Sequence, residues 1–424
     1  WLNPLKHTSC QHCKFDPNCK WTIEIEAFYP WRNCNNTVKF DNLEIGSKLL
    51  SFHYLQTPAL ILDRARMQQN LDAMHIRMRN LGVNLRPHLK TAKSAEIARL
   101  ATFRQSGGVT VSTLAEAEYF HANGFSDILY AVGILPAKLD RVDALAKKGA
   151  DIKLVSDSLD AVKIIAARSV KGSLPFKILI EVDSGEGRAG ILADDPTFLE
   201  IAHLIDDTPN MELMGVMTHA GHSYNCQSIG AIKGVAAQER TCIAAAAVKL
   251  RDAGLPCPIV SAGSTPTAVH ADNLDGVTEM RPGVFVFNDL KQLAVGSCSR
   301  SDLALSVLAS VIGQNKHKGH IILDCGALAL SKDISAQDDH PNIGYGEVCR
   351  ADTLEPFKDL YVEAVSQEHG IVPVKNDDAF KKLPIGTQVR ILPNHACITA
   401  AGYNHYEVLE NGRIVAQWHR VTGW

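Results

Sequence analysis

Long apolar runs are missing from this 424-residue chain. Its most apolar helical stretch, Cys242 to Val248, runs straight into Lys249, Arg251 and Asp252, far short of the ~20 residues a bilayer span needs. Clustered positive charge is missing too. The 43 Lys and Arg are spread among 46 Asp and Glu for a net charge of -3, which gives no field to gather nucleic acid or an anionic membrane surface. Neither is expected as a partner. No continuous apolar segment near the start matches a secretory signal, so a cytoplasmic protein is expected. Low-complexity linkers and internal repeats are also absent, so any two domains should share a substantial interface. What is there, 46% hydrophobic and 21% charged residues, is the composition of a globular protein with a large core or two domains.

The cysteines are scattered. Those beyond residue 50 sit singly in apolar runs such as "ILDCGALAL" and "ERTCIAAAA", which predicts buried, reduced thiols. In "HTSCQHCKFDPNCKW", Cys10 and Cys13 form a CxxC beside His7, His12 and Cys19. A structural zinc site pairs one CxxC with a second Cys or His couple, and Cys19 with Cys34 does not make one. Residues 1–50, with Asn-rich "NCNNTV" and no periodicity, read as a poorly ordered N-terminal extension. The sequon at Asn35 matters only in a secreted chain.

From "TPALILD" onward apolar β-type runs alternate with helical patterns. Eight strands are expected: "GVNLRPHLK", "GVTVS", "DILYAV", "DIKLVS", "FKILIEVD", "LMGVMTHA", "PIVSAGS" and "EMRPGVFVF". They read as continuous apolar runs, as burial on both faces requires. Eight such strands with intervening helices predict an α/β fold of the (β/α)8 TIM-barrel type over 51–289. After Asp289 strands follow one another without helices, and "ENG" between two alternating runs signals a hairpin. A mostly β C-terminal domain is expected over 290–424.

Reactive residues of such barrels lie at the C-terminal ends of the strands. Those ends hold His88 and Lys90, Arg188, His219 and His222, Gly263, Ser264 and Thr265, and Arg281 with Gly283. A lysine in the barrel mouth, partly desolvated beside other cations, is a nucleophilic amine suited to a Schiff base. The alternative is a loop lysine paired to an acid. "SAGSTPT" tilts the balance, because small residues and hydroxyls at the seventh strand end can cradle a phosphate. Amine and cradle together describe the two ends of pyridoxal phosphate. "DSGEGRAG" carries a GxGxxG, but "ILADDPTF" puts a turn where a dinucleotide site needs a helix. Arg188 is better used as a donor to the cofactor ring. In "LPNHACITA", His395 and Cys397 fall two apart on one face of an extended segment, where they can pack or hold one metal, zinc rather than magnesium or calcium.

In the order "RPHLKTAK", "EVDSGEGRAG", "THAGHSY", "SAGSTPT", "RPGVFVFND", "ILDCGALALSKD", "SQEHG" and "PNHAC", the chain from about Phe52 onward resembles the D-threonine aldolase and D-serine dehydratase family of fold-type III pyridoxal phosphate enzymes. The resemblance implies an alanine-racemase-like barrel, a C-terminal β domain, a homodimer, and a divalent metal beside the cofactor. By motif, Lys90 resembles the Schiff-base lysine, Arg188 a ring-contacting arginine, Gly263 to Thr265 the phosphate cradle, and His395 with Cys397 the metal ligands. There are departures: Ala92 stands in "KTAK" where the family has a histidine, and "VFVFND" lacks a common tyrosine. Glu368 and His369 of "SQEHG" match the family without a role beyond the surroundings of the metal.

The reaction expected is lyase chemistry on a β-hydroxy-D-amino acid. Elimination to a keto acid and ammonia is favoured, since a thiolate ligand resembles the zinc dehydratases. Manganese is the second choice of metal. The alternative is Cα–Cβ cleavage to glycine and an aldehyde, with His219, His222 and Tyr224 as candidate bases. Tyr224 also falls among the candidate cofactor contacts, with His88, Arg281 and Gly283. Outside lyase chemistry stand an amino-acid racemase, which needs no metal, and a cofactor-binding protein without turnover.

Overall fold

The computed structural model describes residues 52–103, 105, 108–170, 174–338, 342–375 and 377–424; the N-terminal extension, its cysteines and its sequon lie outside them. Strand β1 (Ala59–Asp63) leads into helix α1 (Arg64–Asn80). Short strands then alternate with helices: β2 (Asn84–Leu85), α2 (Ala95–Thr102), β3 (Val109–Val111), α3 (Leu114–Ala122), β4 (Asp127–Gly133), α4 (Leu139–Lys147), β5 (Asp151–Ser156) and α5 (Leu159–Ser169). The series continues with β6 (Phe176–Glu181), α6 (Pro196–Asp207), β7 (Met211–Met217), α7 (Ile229–Asp252), β8 (Ile259–Ala262), α8 (Thr265–His270) and β9 (Glu279–Met280).

Several helices start where a side chain accepts an otherwise orphaned N–H. Thr113 accepts from Glu116, Ser158 from Ala161 and Ser228 from Ala231, each cap contributing about 1 kcal/mol. Strands β2 to β9 form one parallel sheet in the order β2-β9-β8-β7-β6-β5-β4-β3. Its two edges meet where Thr110 N–H donates to Pro87 O at 3.0 Å and Leu89 N–H to Thr110 O at 2.8 Å. The barrel is therefore closed. Leu129, Val155, Leu179 and Met217, from β4 to β7, pack together with almost no exposure, and burying such a side chain is worth roughly 1.5–3 kcal/mol.

The second sheet is built from β10 (Leu305–Asn315), β11 (His320–Leu323), β12 (Glu347–Arg350), β13 (Pro356–Tyr361), β14 (Ala364–Val365), β15 (Gly370–Pro373), β16 (Gln388–Leu392), β17 (His405–Glu410) and β18 (Arg413–His419). Its main path is β13-β12-β16-β10-β1-β17-β18, with β11, β15 and β14 branching from β10. β1 departs from the expected division of the chain: it lies within the stretch read as barrel but pairs antiparallel with β10 and parallel with β17. All of its residues except Asp63 are buried, so its apolar run needed a sheet but did not say which. The expected hairpin is β17–β18, turning at Asn411 and Gly412 with φ of 48° and 79°, the left-handed pair that a tight two-residue loop requires. "HIILDCGALAL" is not one strand: β11 stops at Leu323 and Ala327–Leu330 is helical.

All seven cysteines among the described residues are free, and Cys257, Cys325 and Cys349 are buried. No helix among the described residues is long and apolar enough to cross a membrane.

Candidate active site

Pro87 has no N–H to donate, so the β2 ladder ends early and the chain reaches Lys90 through an isolated bridge and a turn. Lys90 is exposed to a cavity of about 360 Å³ between the strand ends and the second sheet. Its barrel wall includes His88, Lys90, Arg188, His219, Tyr224, Ser264, Arg281 and Gly283; the facing wall includes Asp289, Asp333, His395 and Cys397. An adjoining cavity of about 200 Å³ shares Lys90, His88, Arg188, His219 and Arg281 and adds Glu181 and Gly263. Among the described residues Lys90 makes no hydrogen bond or ion pair, so its amine is not tied to an acid.

The wall around Lys90 is cationic and its imidazoles are neutral. Burial, followed by Lys90, Arg281 and Arg188, drives His219 down to about 3. Its Nδ1 lies 3.1 Å from Gly263 O; a carbonyl only accepts, so Nδ1 carries the proton and Nε2 is left as an acceptor. His88 is lowered well below its ordinary value by burial and by Lys90, and its Nδ1 has no partner. Buried Arg281 donates to Ser261 Oγ at 2.6 Å and Thr218 O at 2.5 Å. Arg188 lies 3.4 Å from Glu186. Glu181 is buried, and burial raises its carboxyl.

The Gly263–Thr265 segment is built as a tight approach. Gly263 has φ +114°, and a Cβ there would meet Met280 Cε at 2.9 Å and the Arg281 nitrogen at 3.0 Å. Ser264 caps α8 in a reciprocal capping box with Thr267. The Gly263 N–H, like that of Ala220, donates at 3.0 Å to Glu239 from mid-α7, and Ser264 N–H donates to the Thr267 hydroxyl. Two amides of the expected cradle are thus spent on the fold. Thr265 N–H makes only a 3.4 Å bond to the Tyr224 hydroxyl. Of these two groups, the Tyr224 hydroxyl stands on the cavity. Burial keeps that phenol protonated, well above its usual range.

The His395–Cys397 pair forms, but not on the expected extended face. Pro393 ends the strand after β16; His395 is an N-cap and Ala396–Ala401 is a helix, whose Ala396 N–H is accepted by Asp289 at 2.9 Å. Both side chains still reach one point. His395 Nδ1 lies 2.9 Å from Asp333, leaving Nε2 toward the sulfur. Burial would lower this imidazole, but Asp333 and Cys397 outweigh it and hold it up at about 11. Burial would likewise raise the Cys397 thiol, yet His395, Thr91 and Lys90 bring it below its ordinary value. An oriented imidazole beside a sulfur whose thiol is made more acidic than usual, backed by a carboxylate, matches the donor types of a zinc site. No group of three or more His, Cys, Asp or Glu able to hold a metal occurs among the described residues.

Lys90, His88, Arg188, His219, Tyr224, Ser264, Arg281, Gly283, His395 and Cys397 share one cavity, with Gly263 in its annex. Buried Thr265 lies behind the wall. His222 lines neither cavity; its ring faces the Gly185 and Gln238 side, and its Nδ1 is unpartnered. Glu368 and His369 are exposed at the β14–β15 turn and line neither cavity. Asp333, Asp289, Thr91 and Glu239 were not singled out from sequence. The first three stand inside the quoted segments "LALSKD", "VFVFND" and "HLKTAK", whereas Glu239 in mid-helix carries no such signal.

Comparison with known proteins agrees with this geometry. Residues 62–290 match the alanine racemase N-terminal domain, and 304–409 a putative serine dehydratase domain. The chain is 44% identical over 375 residues to the D-threo-3-hydroxyaspartate dehydratase of Delftia sp., covering 87% of this chain and 98% of that one. It is 32% identical over 380 residues to the D-serine dehydratase of Dictyostelium discoideum, covering 84% and 94%. The solved structure of the Delftia enzyme superimposes with a TM-score of 0.85 at 43% identity over 89% of this chain and 100% of that one.

Proposed function

The chain belongs to the D-serine dehydratase and D-threonine aldolase family of alanine-racemase-like, pyridoxal-phosphate-dependent lyases, and we propose that it removes water from a β-hydroxy-D-amino acid to give a keto acid and ammonia. The observation that carries this reading is one hydrogen bond. Thr91, next to the lysine, lies 3.2 Å from the Cys397 sulfur through its hydroxyl. An amine placed to move a proton and a pair suited to a metal therefore face each other across one cavity, within the span of a small substrate.

The residues fit both groups: an untied amine, a His88 nitrogen without partner, a Gly263 position that a Cβ would fill, and an imidazole–thiolate pair. When bound, pyridoxal phosphate supplies an electron sink at Cα, and a divalent metal, zinc by this donor set, supplies a Lewis acid at the β-oxygen. Lys90 would hold the cofactor aldehyde, and its Nζ is placed to take the α-proton. Arg188 and Arg281 neutralise negative charge along the wall, and His219 Nε2 accepts a hydrogen bond there. His395 and Cys397 would hold the metal, with Asp333 fixing the imidazole's orientation. The net change is loss of the α-proton and β-hydroxyl as water, after which water replaces nitrogen at Cα and ammonia leaves. The thiolate ligand and the 44% identity to a named dehydratase favour elimination. Cleavage of Cα–Cβ is the second reading, favoured by the His219 Nε2 acceptor and the Tyr224 hydroxyl on the same cavity.

The test is product analysis on D-serine, D-threonine and D-threo-3-hydroxyaspartate with zinc or manganese. Keto acid and ammonia are expected; glycine with an aldehyde would replace elimination by cleavage. Full activity in chelator, yielding only the mirror-image amino acid, would make it a racemase. Borohydride should leave a pyridoxyl adduct on the Lys90 peptide, and its absence would remove the cofactor reading.

A further inference from the structure

Three carbonyls follow Lys90 in the turn, and all three are held from the far end of the chain. Tyr406 of β17 donates its hydroxyl to Ala92 O at 2.7 Å. Arg420, just past β18, donates Nε to Ala92 O at 3.2 Å and Nη2 to Thr91 O at 3.5 Å. Val421 N–H reaches Lys93 O at 2.8 Å. The same guanidinium turns its Nη1 to Tyr403 O at 2.9 Å and to Ala400 O, the carbonyls at the C-terminal end of the helix that begins with Ala396 and carries Cys397. Its Nε also donates to the Tyr406 hydroxyl at 2.8 Å.

We infer that Arg420 and Tyr406 form a strut that sets the separation between Lys90 and the His395–Cys397 pair, and so are positioning residues of the reaction; this rests on the lyase reading above. A planar cation with several fixed donors is suited to measuring the gap between two backbone segments, which a flexible ammonium is not. The helix end it meets also favours positive charge. Arg420 is 6% exposed and has no carboxylate within ion-pair distance among the described residues. Burying such a cation against carbonyls and one phenol, with no counter-charge, is costly, and an apolar side chain of similar volume would fill the space at lower cost. What the apolar residue could not do is hold the lysine turn and the cysteine helix in one register. Elimination needs both groups on one substrate at once, and a misplacement of about 1 Å can cost roughly a hundredfold in rate.

The experiment compares holoenzyme with Tyr406→Phe, Arg420→Lys and Arg420→Ala, each reconstituted with pyridoxal phosphate and zinc. Borohydride-trapped cofactor per chain, zinc per chain, kcat, KM and melting temperature are read together. Tyr406→Phe and Arg420→Lys are expected to keep cofactor and zinc stoichiometry while kcat per loaded site falls about 10- to 100-fold and KM changes little. Guanidinium in the buffer should restore part of the Arg420→Ala rate. If activity falls only in proportion to lost cofactor or zinc, or kcat per loaded site is unchanged, the strut is merely structural and the inference is overturned. Should Arg420→Ala fail to fold, Tyr406→Phe, which removes one oxygen atom, decides the matter. A wild-type protein that traps no cofactor sinks the lyase reading and the strut with it, whereas a loaded wild type with indifferent variants sinks the strut alone.

Discussion

Arg86 grips Asp127 through both terminal guanidinium nitrogens, at 2.9 Å each, on the side of the barrel away from the cavity. Its Nε donates to buried Glu279 at 2.7 Å, and Lys153 adds a second cation to Asp127 at 2.7 Å. Replacing Arg86 with Met leaves the Glu279 carboxylate buried without its counter-charge, so unfolding in urea at neutral pH should show a loss of about 3–5 kcal/mol. The acid side follows from Asp127. Burial alone would raise its carboxyl, but Arg86 and Lys153 hold it below 3.8. Its contribution is full above that value and disappears as pH falls through the lowered one, so the variant's stability should decline less steeply in acid.

His219 makes the opposite demand. Unfolded, it takes up a proton near 6.5; folded, burial and the cations Lys90, Arg281 and Arg188 defer this to about 3. The unfolded state binds more protons across that interval, so stability falls as pH drops. Melting temperatures of His219→Gln, measured from neutral pH downward, should fall less steeply than those of the wild type. The flattening should be partial, because His88 is lowered in the same direction.

At Gly263 a single methyl group is expected to weaken cofactor retention. With φ +114° and Met280 and Arg281 within about 3 Å of an added Cβ, Gly263→Ala should strain the loop by about 1–3 kcal/mol. Titration with pyridoxal phosphate, followed by the imine absorbance, should show weaker binding than in the wild type. Unchanged affinity would remove the Gly263 segment from the cofactor site.

His395→Ala and Cys397→Ala each delete one of the two proposed metal donors. Zinc per chain should fall and keto-acid formation should drop by at least the 10- to 100-fold typical of weakened metal sites. The Lys90 imine should persist in both, because the amine lies on the barrel. Chelator treatment of the wild type should reproduce the loss and added zinc should reverse it.

Much of the barrel was legible because each apolar run is bounded by turn residues and followed by a helical period. The runs nevertheless overstate the ladders. "GVNLRPHLK" yields only Asn84–Leu85 as paired strand and "EMRPGVFVF" only Glu279–Met280, since Pro87 and Pro282 have no N–H to give. Lys90, Arg281 and the Gly263 segment could be found because chemistry at strand ends follows the period of the fold. The His395–Cys397 pair was found on a wrong premise, an extended face; Pro393 and the Asp289 cap make it a helix start. Glu239, Arg420 and Tyr406 were not legible, because each acts on backbone groups distant in sequence.

The pairing of β1 orders the chain's assembly in time. Ile61 sits opposite Ser306 and Glu407, so in a nascent chain the apolar stretch Leu60 to Leu62 stays unpartnered until β10 is made, and its second edge stays open until β17. Non-local closure of this kind is slow and leaves a sticky segment uncovered meanwhile. A fragment stopped after β9 should accordingly aggregate when expressed by itself, and the full chain should call on chaperones chiefly at β1.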